Sequence, residues 1–214
     1  MIDTETTGWS VAQGHALIEV ATVTLEDGIV AETWSSLVRP GRSIPVESTR
    51  VHGITDAMVA GAPPPERVAA ELRVRCADWP LVFHHATFDL AFIARLLRAS
   101  GQPPLWNPVI DTLGMARAFP DPAGHSLPVA RARLELQPRA SHRALEDAHA
   151  TADLLLALLP RWEAERGVRS LAELAAESQD GARPGAAERA KNRLEAPAAV
   201  PIMGDLFETS PGEA

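Results

Sequence analysis

The sequence predicts an α/β fold, with a mixed sheet of about five strands and helices on both of its faces. Two strand-like stretches, 16–25 and 29–38, flank an Asp27-Gly28 turn and predict a hairpin that follows a first strand at the amino terminus. Beyond residue 65, stretches with helical periodicity alternate with short apolar runs of strand length. Hydrophobic residues make up 46% of the 214 residues, which is enough to build one sizeable core.

The remaining elements follow from the same patterns in chain order. Apolar periodicity predicts helices at 66–77, 87–99, 112–118, 127–134 and 144–165. Apolar runs bounded by turn residues predict strands at 81–84 and 109–110. Thr55 is expected to cap a further helix, and the proline run at 63–65 is expected to lie in a loop. No internal repeat is visible, so these elements are expected to form one domain over residues 1–167.

Composition limits the classes of protein to which the chain can belong. Cys76 is the only cysteine, which argues against a disulfide framework and favours a reducing, cytoplasmic location. No apolar stretch reaches the length of a membrane span, and no charged-then-apolar secretory leader opens the sequence. The formal net charge is −8, and residues 1–167 hold 15 arginines, no lysine and 20 acids. Without a broad basic stripe, nonspecific electrostatic attraction to nucleic acid should be weak.

The segment Asp3-Thr4-Glu5-Thr6-Thr7-Gly8 carries the first candidate site. Side chains alternate between the faces of a strand, so Asp3 and Glu5 should share one face at roughly 6.5–7 Å. Two like charges at that distance repel unless a cation lies between them, and oxygen ligands suit hard divalent metals. A polar edge strand that runs into a turn would give the same pattern, so the pair needs supporting residues elsewhere.

Two later segments supply those residues. Asp89 follows a buried strand and a polar turn and falls in the first turn of the predicted helix, where the helix dipole favours a negative charge. Asp147 lies towards the apolar stripe of the last long helix, where a carboxylate is costly to bury without a partner. His142 precedes that helix and is expected to project from the loop before it, as suits a base that must move.

The three segments resemble, in this order, the exonuclease motifs of the DnaQ-like DEDDh 3′–5′ exonucleases, through Asp3, Glu5, Asp89, His142 and Asp147. Connecting sequences similar to those of the family fall at 18–23, 37–40, 44–45, 51–55 and 111–113. The resemblance covers residues 1–165. It implies a ribonuclease H-like architecture and a metal-dependent exonuclease that removes nucleoside monophosphates from DNA 3′ ends, in proofreading or repair.

The resemblance also implies the cofactor, two divalent cations that are Mg²⁺ or Mn²⁺, and the roles of the site residues. Asp3 would bridge both ions, Glu5 and Asp147 would complete the shell of one, and Asp89 would hold the other. His142 would act as general base, since its ordinary pKa of about 6.5 leaves a neutral imidazole near physiological pH. The pattern leaves open a 3′–5′ exoribonuclease, or a non-catalytic adaptor on a nuclease fold that binds a polymerase or a sliding clamp.

Substrate-binding residues are expected from the same resemblance. The family positions that flank the 3′-terminal nucleotide are occupied by Thr6, Thr7, Val51, His52 and Phe88. An apolar wedge and an aromatic ring at those positions can stack on a frayed base without reading its identity. His52-Gly53 is equally consistent with a simple turn before the next helix.

The chain departs from the family pattern at two places. His85 stands where the family often has Asn, so the local positioning of the substrate is expected to differ. Only Met1 and Ile2 precede Asp3, whereas the first strand of the family usually has several apolar residues there. We therefore expect the first strand to be truncated, and a chain extended upstream of Met1 to be more stable and more active.

Beyond residue 167 the composition changes. The sequence predicts one more short helix at 168–178, a flexible linker rich in Ala, Pro and Gly at 179–200, and a disordered tail at 209–214. Residues 201–208 form an apolar island, in which Asp205, Leu206 and Phe207 resemble the end of the peptides that bind the bacterial sliding clamp. The alternative is a tail segment that folds back on the catalytic domain.

Overall fold

The computed structural model describes residues 1–119, 121–140 and 142–179. The apolar island with Asp205, Leu206 and Phe207, and the rest of 180–214, lie outside the described residues. The strands are β1 (Ile2–Thr6), β2 (Leu17–Glu26), β3 (Ile29–Leu37), β4 (Leu81–Phe83) and β5 (Val109–Asp111). The helices are α1 (Val46–His52), α2 (Asp56–Val59), α3 (Pro65–Cys76), α4 (Ala86–Ala99), α5 (Thr112–Arg117), α6 (Leu127–Arg133), α7 (Ala144–Arg166) and α8 (Leu171–Ser178).

All the predicted strands are present, but their hydrogen bonds form two small sheets instead of the single mixed sheet that was expected. One sheet is antiparallel with the order β1-β2-β3, and in the other β4 pairs with β5 in parallel. β4 lies next to β1, and one apolar cluster joins Ile2 and Val20 to Leu81 and Phe83. β4 has only 3 residues, so it offers few positions for a ladder with β1. The α/β class is confirmed.

Helices cover both faces of the strands, as predicted. On one face, α3 and α4 bury Val68, Leu72, Phe92, Ile93 and Leu97. On the other face, α5, α7 and α8 bury Met115, Leu155, Leu158, Trp162 and Leu174. None of the helices in the described part of the chain combines the length and the apolar character that a membrane span requires.

Proline and glycine set several helix ends. The proline run does not lie wholly in a loop, because Pro65 begins α3, where its missing N–H costs nothing. Thr55 caps α2 as predicted, and its hydroxyl accepts a hydrogen bond from the Met58 N–H. α1 was not predicted, since it has only 7 residues and no apolar stripe of its own. It ends at Gly53, whose φ of 72° is the left-handed conformation typical of a helix end.

α8 closes the open edge of β5. The Asp111 N–H donates to the Ser178 hydroxyl at 3.1 Å, and the Gln179 side-chain amide donates to the Val109 carbonyl at 3.2 Å. Gly114 permits this approach, because a Cβ atom at that position would lie 1.6 Å from the Ser178 carbonyl oxygen. α8 is therefore packed into the same unit as residues 1–167.

Met1, the residue before β1, is hydrogen-bonded to β2. The Met1 ammonium group donates to the Val23 carbonyl at 2.6 Å, and the Val23 N–H donates back to the Met1 carbonyl at 2.9 Å. Burial lowers the pKa of this ammonium group to about 5. The greater stability and activity expected of a chain extended upstream stay a prediction.

Candidate active site

Three carboxylates converge where β1 meets the start of α7. One oxygen atom from each of Asp3, Glu5 and Asp147 lies within 4.8 Å of the others. Asp3 and Glu5 project from one face of β1, and Asp147 reaches them from the first turn of α7. This cluster supplies the kind of oxygen ligands that a hard divalent cation prefers.

Asp89 approaches from the α4 side of β1. It is buried in the first turn of α4, and its Oδ1 accepts a hydrogen bond from the Thr4 hydroxyl at 2.7 Å. Thr4 alternates with its neighbours along β1, so its side chain points to α4 while those of Asp3 and Glu5 point to α7. Asp89 is still close enough for its charge to raise the pKa of Asp3. The structure thus brings the four predicted acids together, with Asp89 set apart from the tighter group of three.

Burial raises the pKa of all four acids, and repulsion from other acids of the group adds to it for Asp3 and Glu5. Burial is the largest cause for each, and it raises the pKa of Glu5 to about 8 and that of Asp89 to about 7. The pKa of Asp3 lies well above its ordinary value, because the charges of Asp89, Asp147 and Glu5 add to the effect of burial. The pKa of Asp147 is raised as well. Such a group cannot ionise cheaply at neutral pH unless a cation compensates its charge.

His142 lies immediately before α7 and is exposed. Its φ of 64° is left-handed, a conformation that is uncommon for a residue with a side chain. Its backbone N–H donates to Asp147 Oδ2 at 2.7 Å, so the two residues are joined through the main chain of His142. The predicted base is therefore fixed at its backbone beside the acidic group, while its imidazole remains at the surface.

An ion pair between Glu19 and Arg143, which no sequence motif indicated, lies beside this group. Glu19 faces Glu5 across the β1–β2 ladder and is 3% exposed. Arg143 donates from Nη2 to Glu19 Oε1 at 2.6 Å and from Nε to Oε2 at 3.0 Å. The Ala144 N–H donates to the same Oε2 at 3.1 Å. A single acid within the apolar run 17–23, and an arginine directly after His142, are the signals that could have indicated the pair.

Thr6 and Thr7 were both predicted to contact substrate. Thr6 ends β1, Thr7 begins the loop that follows, and both are buried. The Thr7 hydroxyl lies 3.1 Å from His15 Nδ1, and its carbonyl accepts a hydrogen bond from the Ser48 hydroxyl at 3.0 Å. The Thr7 N–H donates to the Ala16 carbonyl at 2.8 Å. With these groups engaged inside the protein, Thr7 holds the loop in place, and its contact with a substrate stays a prediction.

Phe88, also predicted as a substrate residue, lies in a group of aromatic rings. Its ring centroid is 6.0 Å from that of Trp9 and 6.3 Å from that of His85, which is stacked on it. Trp9 is 86% exposed and was not predicted, although its place directly after Thr7 and Gly8 was a usable signal. The φ of His85 is 81°, and Asn is among the residues that tolerate this left-handed conformation best.

His52 and Val51 end α1. His52 Nδ1 accepts a hydrogen bond from the Ile54 N–H at 3.0 Å, so the neutral ring carries its proton on Nε2. Burial lowers the pKa of His52, whose ring lies beside the Thr6 backbone. Val51 is 51% exposed and offers an apolar surface at the end of the helix. The turn predicted at His52-Gly53 is present, and contact of His52 with a substrate stays a prediction.

Asp111 fixes the start of α4. Its carboxylate accepts the backbone N–H groups of His85 at 2.9 Å and Ala86 at 3.2 Å, and also that of Leu113 at 3.0 Å. These bonds connect the end of β5 to the turn from which Asp89 is presented.

A profile of the RNase T family, described as exonuclease, matches residues 1–155. The chain belongs to this exonuclease family. A DNA polymerase III subunit epsilon-like protein of Rhodobacter capsulatus is 40% identical over 169 residues, which cover 77% of this chain and 24% of that protein. A PolC-type DNA polymerase III of Streptococcus mutans is 35% identical over 175 residues, which cover 81% of this chain and 12% of that protein. The chain thus spans a quarter or less of the length of these relatives.

Solved exonuclease structures share the fold of this family member. Exonuclease X in complex with 5′ overhanging duplex DNA gives a TM-score of 0.66 at 28% identity, and the match covers 83% of this chain and 97% of that chain. The nuclease domain of 3′hExo, a DEDDh family member bound to rAMP, gives 0.65 at 19% identity and covers 75% and 90%. The predicted resemblance to DnaQ-like DEDDh exonucleases is confirmed.

Proposed function

We propose that the protein is a metal-dependent 3′–5′ exonuclease that removes nucleoside monophosphates from DNA 3′ ends. The observation that carries this proposal is the convergence of Asp3, Glu5 and Asp147 within 4.8 Å, with buried Asp89 beside them. Membership of the exonuclease family supports the reaction class. DNA is favoured as substrate because exonuclease X, at 28% identity, was solved with duplex DNA.

The donor set suits two divalent cations, Mg²⁺ or Mn²⁺. Every donor is a carboxylate oxygen, the ligand type that both ions accept. The raised pKa values of Glu5 and Asp89 report repulsion and burial that a bound cation would relieve. Asp3, Glu5 and Asp147 would hold one ion, and Asp3 with Asp89 would hold the other. When bound, the ions would polarise the phosphodiester and neutralise charge on the leaving oxygen.

His142 is the general base of this proposal. Its exposed imidazole can reach the reacting water while its backbone stays anchored to the Asp147 carboxylate at 2.7 Å. In its neutral form the ring takes the proton from the attacking water, and the resulting positive charge lies near Asp147. The exposed position also lets the ring return that proton to solvent between turnovers.

Aromatic and apolar groups at the rim would bind the 3′-terminal nucleotide. Trp9 and Phe88 present ring faces and edges on which a base can stack whatever its identity. Val51 would supply the apolar wedge, and His52 lies beside the backbone of Thr6.

The absence of a broad basic stripe from the sequence favours delivery of the 3′ end by a DNA polymerase or a sliding clamp. Relatives named as DNA polymerase III proteins support this role in proofreading or repair.

The test is hydrolysis of 3′- and 5′-labelled single-stranded DNA and matching RNA with Mg²⁺, Mn²⁺ or EDTA. We expect mononucleotides from the 3′ end of DNA only when metal is present. His142→Ala should lower the rate about 10²–10⁴-fold with an unchanged circular dichroism spectrum. His149→Ala, which changes a histidine within α7, is the matched control and should keep full activity. Faster release from RNA would favour the exoribonuclease, and a folded, inactive protein would favour the adaptor.

A further inference from the structure

The ion pair between Glu19 and Arg143 links the start of α7, which carries Asp147, to β2, the strand that pairs with β1. Glu19 belongs to β2 and faces Glu5, a carboxylate of the cluster, across the ladder. Arg143 is the N-cap residue directly before α7, and Asp147 lies in the first turn of that helix. The pair therefore connects the β1–β2 ladder, which carries Asp3 and Glu5, to the start of α7, which carries Asp147.

The Glu19 carboxylate also caps α7 from a distance. Arg143 has extended backbone angles, φ −138° and ψ 128°, and its own side chain makes no capping hydrogen bond. Glu19 Oε2 accepts the N–H of Ala144, the first residue of the helix, at 3.1 Å. Side-chain oxygens at helix starts normally come from the cap residue itself, whereas this one comes from 125 residues away. A cap of that kind sets where α7 starts relative to the sheet.

Hydrogen bonds connect the capped start of α7 to Asp147 and His142 of the site. The Asp147 N–H donates to the Arg143 carbonyl at 3.0 Å, and the His142 N–H donates to Asp147 Oδ2 at 2.7 Å. His142 is thus held from the helix side through Asp147 and Arg143. The Glu19 charge adds to the repulsion at Asp3 and Glu5, and the Arg143 guanidinium offsets part of that repulsion at Glu5.

A second anchor holds the chain on the other side of His142. Arg139 donates to both carboxylate oxygens of Asp153, at 2.7 and 3.2 Å. Arg131 reaches the same carboxylate at 3.0 Å. His142 therefore lies between two arginines that are fixed by acids, one of them on β2 and the other on α7 itself. Only the β2 anchor relates His142 to the β1 carboxylates.

We propose that Glu19 and Arg143 are positioning residues, which hold Asp147 and His142 in register with Asp3 and Glu5. This inference rests on the proposed nuclease function. Loss of either partner should leave the fold intact but widen the distribution of distances between the acids of β1 and those of α7. Metal affinity and turnover should fall together, whereas affinity for the nucleic acid should not.

The test uses the full chain with Glu19→Gln and, separately, Arg143→Lys. Glu32→Gln is the matched control, because Glu32 pairs with Arg75 on the surface, at the other end of the β2–β3 ladder. Binding of Mn²⁺ alone is measured by titration calorimetry without substrate, kcat and KM are measured on a labelled oligonucleotide, and folding is measured by thermal unfolding. Glu19→Gln should weaken Mn²⁺ binding and lower kcat, each about 10–100-fold, with KM changed less than about twofold.

Arg143→Lys separates geometry from charge. Lysine keeps the positive charge but cannot make the paired hydrogen bonds of the guanidinium group, so kcat should fall as in Glu19→Gln. A rise in KM at unchanged kcat would mean that Arg143 binds a substrate phosphate, and would overturn the proposal. Equal Mn²⁺ affinity in Glu19→Gln and the parent protein would also overturn it. An inactive parent protein would refute the proposed function, whereas the Mn²⁺ comparison would still decide the role of the pair.

Discussion

Without divalent cations, the protein should lose stability as the pH rises. The pKa of Glu5 is about 8 in the folded protein, against 4.5 for an ordinary glutamic acid. The folded state therefore binds the Glu5 proton more tightly than the unfolded chain does, and this contribution is fully present below pH 4.5. It is lost progressively as the pH rises from there to about 8, because only the unfolded chain can release the proton cheaply.

The size of this loss of stability follows from the difference between the folded and the ordinary pKa of Glu5. Each pH unit between the two pKa values costs about 1.4 kcal/mol, so raising the pH from about 5 to 8.5 should remove on the order of 4 kcal/mol of the free energy of unfolding. Asp89, with a pKa of about 7, contributes in the same direction. The two contributions do not simply add, since the charge of Asp89 is one cause of the raised pKa of Glu5.

Glu5→Gln is the decisive variant, because glutamine keeps the shape and cannot ionise. In EDTA, urea unfolding at a series of pH values should show the parent protein falling by about 4 kcal/mol relative to the variant between about pH 5 and 8.5. Mn²⁺ at about 100 times its dissociation constant should restore about 2.7 kcal/mol to the parent at the upper pH. Parallel stability curves for the two proteins would refute a buried, cation-dependent Glu5.

Three further changes probe other parts of the molecule. Gly114→Ala should lower the free energy of unfolding by about 1–3 kcal/mol in urea, because the new Cβ would meet the Ser178 carbonyl at 1.6 Å and displace α8. Trp9→Ala should raise KM for an oligonucleotide about 10-fold at unchanged kcat, since stacking on one base contributes about 1–3 kcal/mol. Leu206→Ala with Phe207→Ala should abolish binding to an immobilised sliding clamp in surface plasmon resonance, because these are the two apolar side chains of the part that resembles clamp-binding peptides.

Each of these changes has a control within the chain. Gly61→Ala adds a Cβ with nothing within 4 Å, so a loss as large as that of Gly114→Ala would show that the close contact is not the cause. Trp106 is 87% exposed before β5, and an equal rise in KM on Trp106→Ala would remove the special role of Trp9. Clamp affinity that is unchanged in the double variant would reject the peptide and favour a tail that docks elsewhere.

Local patterns could place each acid of the site on its element, and the resemblance to the DEDDh exonucleases predicted that these elements bring the acids together. Alternation along a strand puts Asp3 and Glu5 on one face, and helical periodicity puts Asp89 and Asp147 in first turns. The Glu19–Arg143 pair could not be predicted in this way, since 124 residues separate its partners and only the packing of α7 against β2 joins them. The contact of Trp9 with Phe88 depends in the same way on how the loop after β1 meets α4.

The fold shows the same contrast between features that depend on local pattern and features that depend on the packing of distant segments. Strong helical periodicity gave correct positions for the long helices. The helix α1 was missed because its 7 residues, which follow a proline, are too few to show helical periodicity. The number of strands was right, yet their division into two hydrogen-bonded sheets depends on how closely β1 and β4 approach. The side chains packed between the helical layers set that distance, so the sequence of either strand alone does not predict it.

The closure of β5 by α8 decides where the chain can safely be cut. A free strand edge is a template on which another copy can pair and aggregate. A fragment that ends at Gly167 would keep the five residues of the nuclease site but uncover the Asp111 N–H and the Val109 carbonyl. We expect such a fragment to self-associate, and one that retains Ser178 and Gln179 to remain monodisperse at the same concentration.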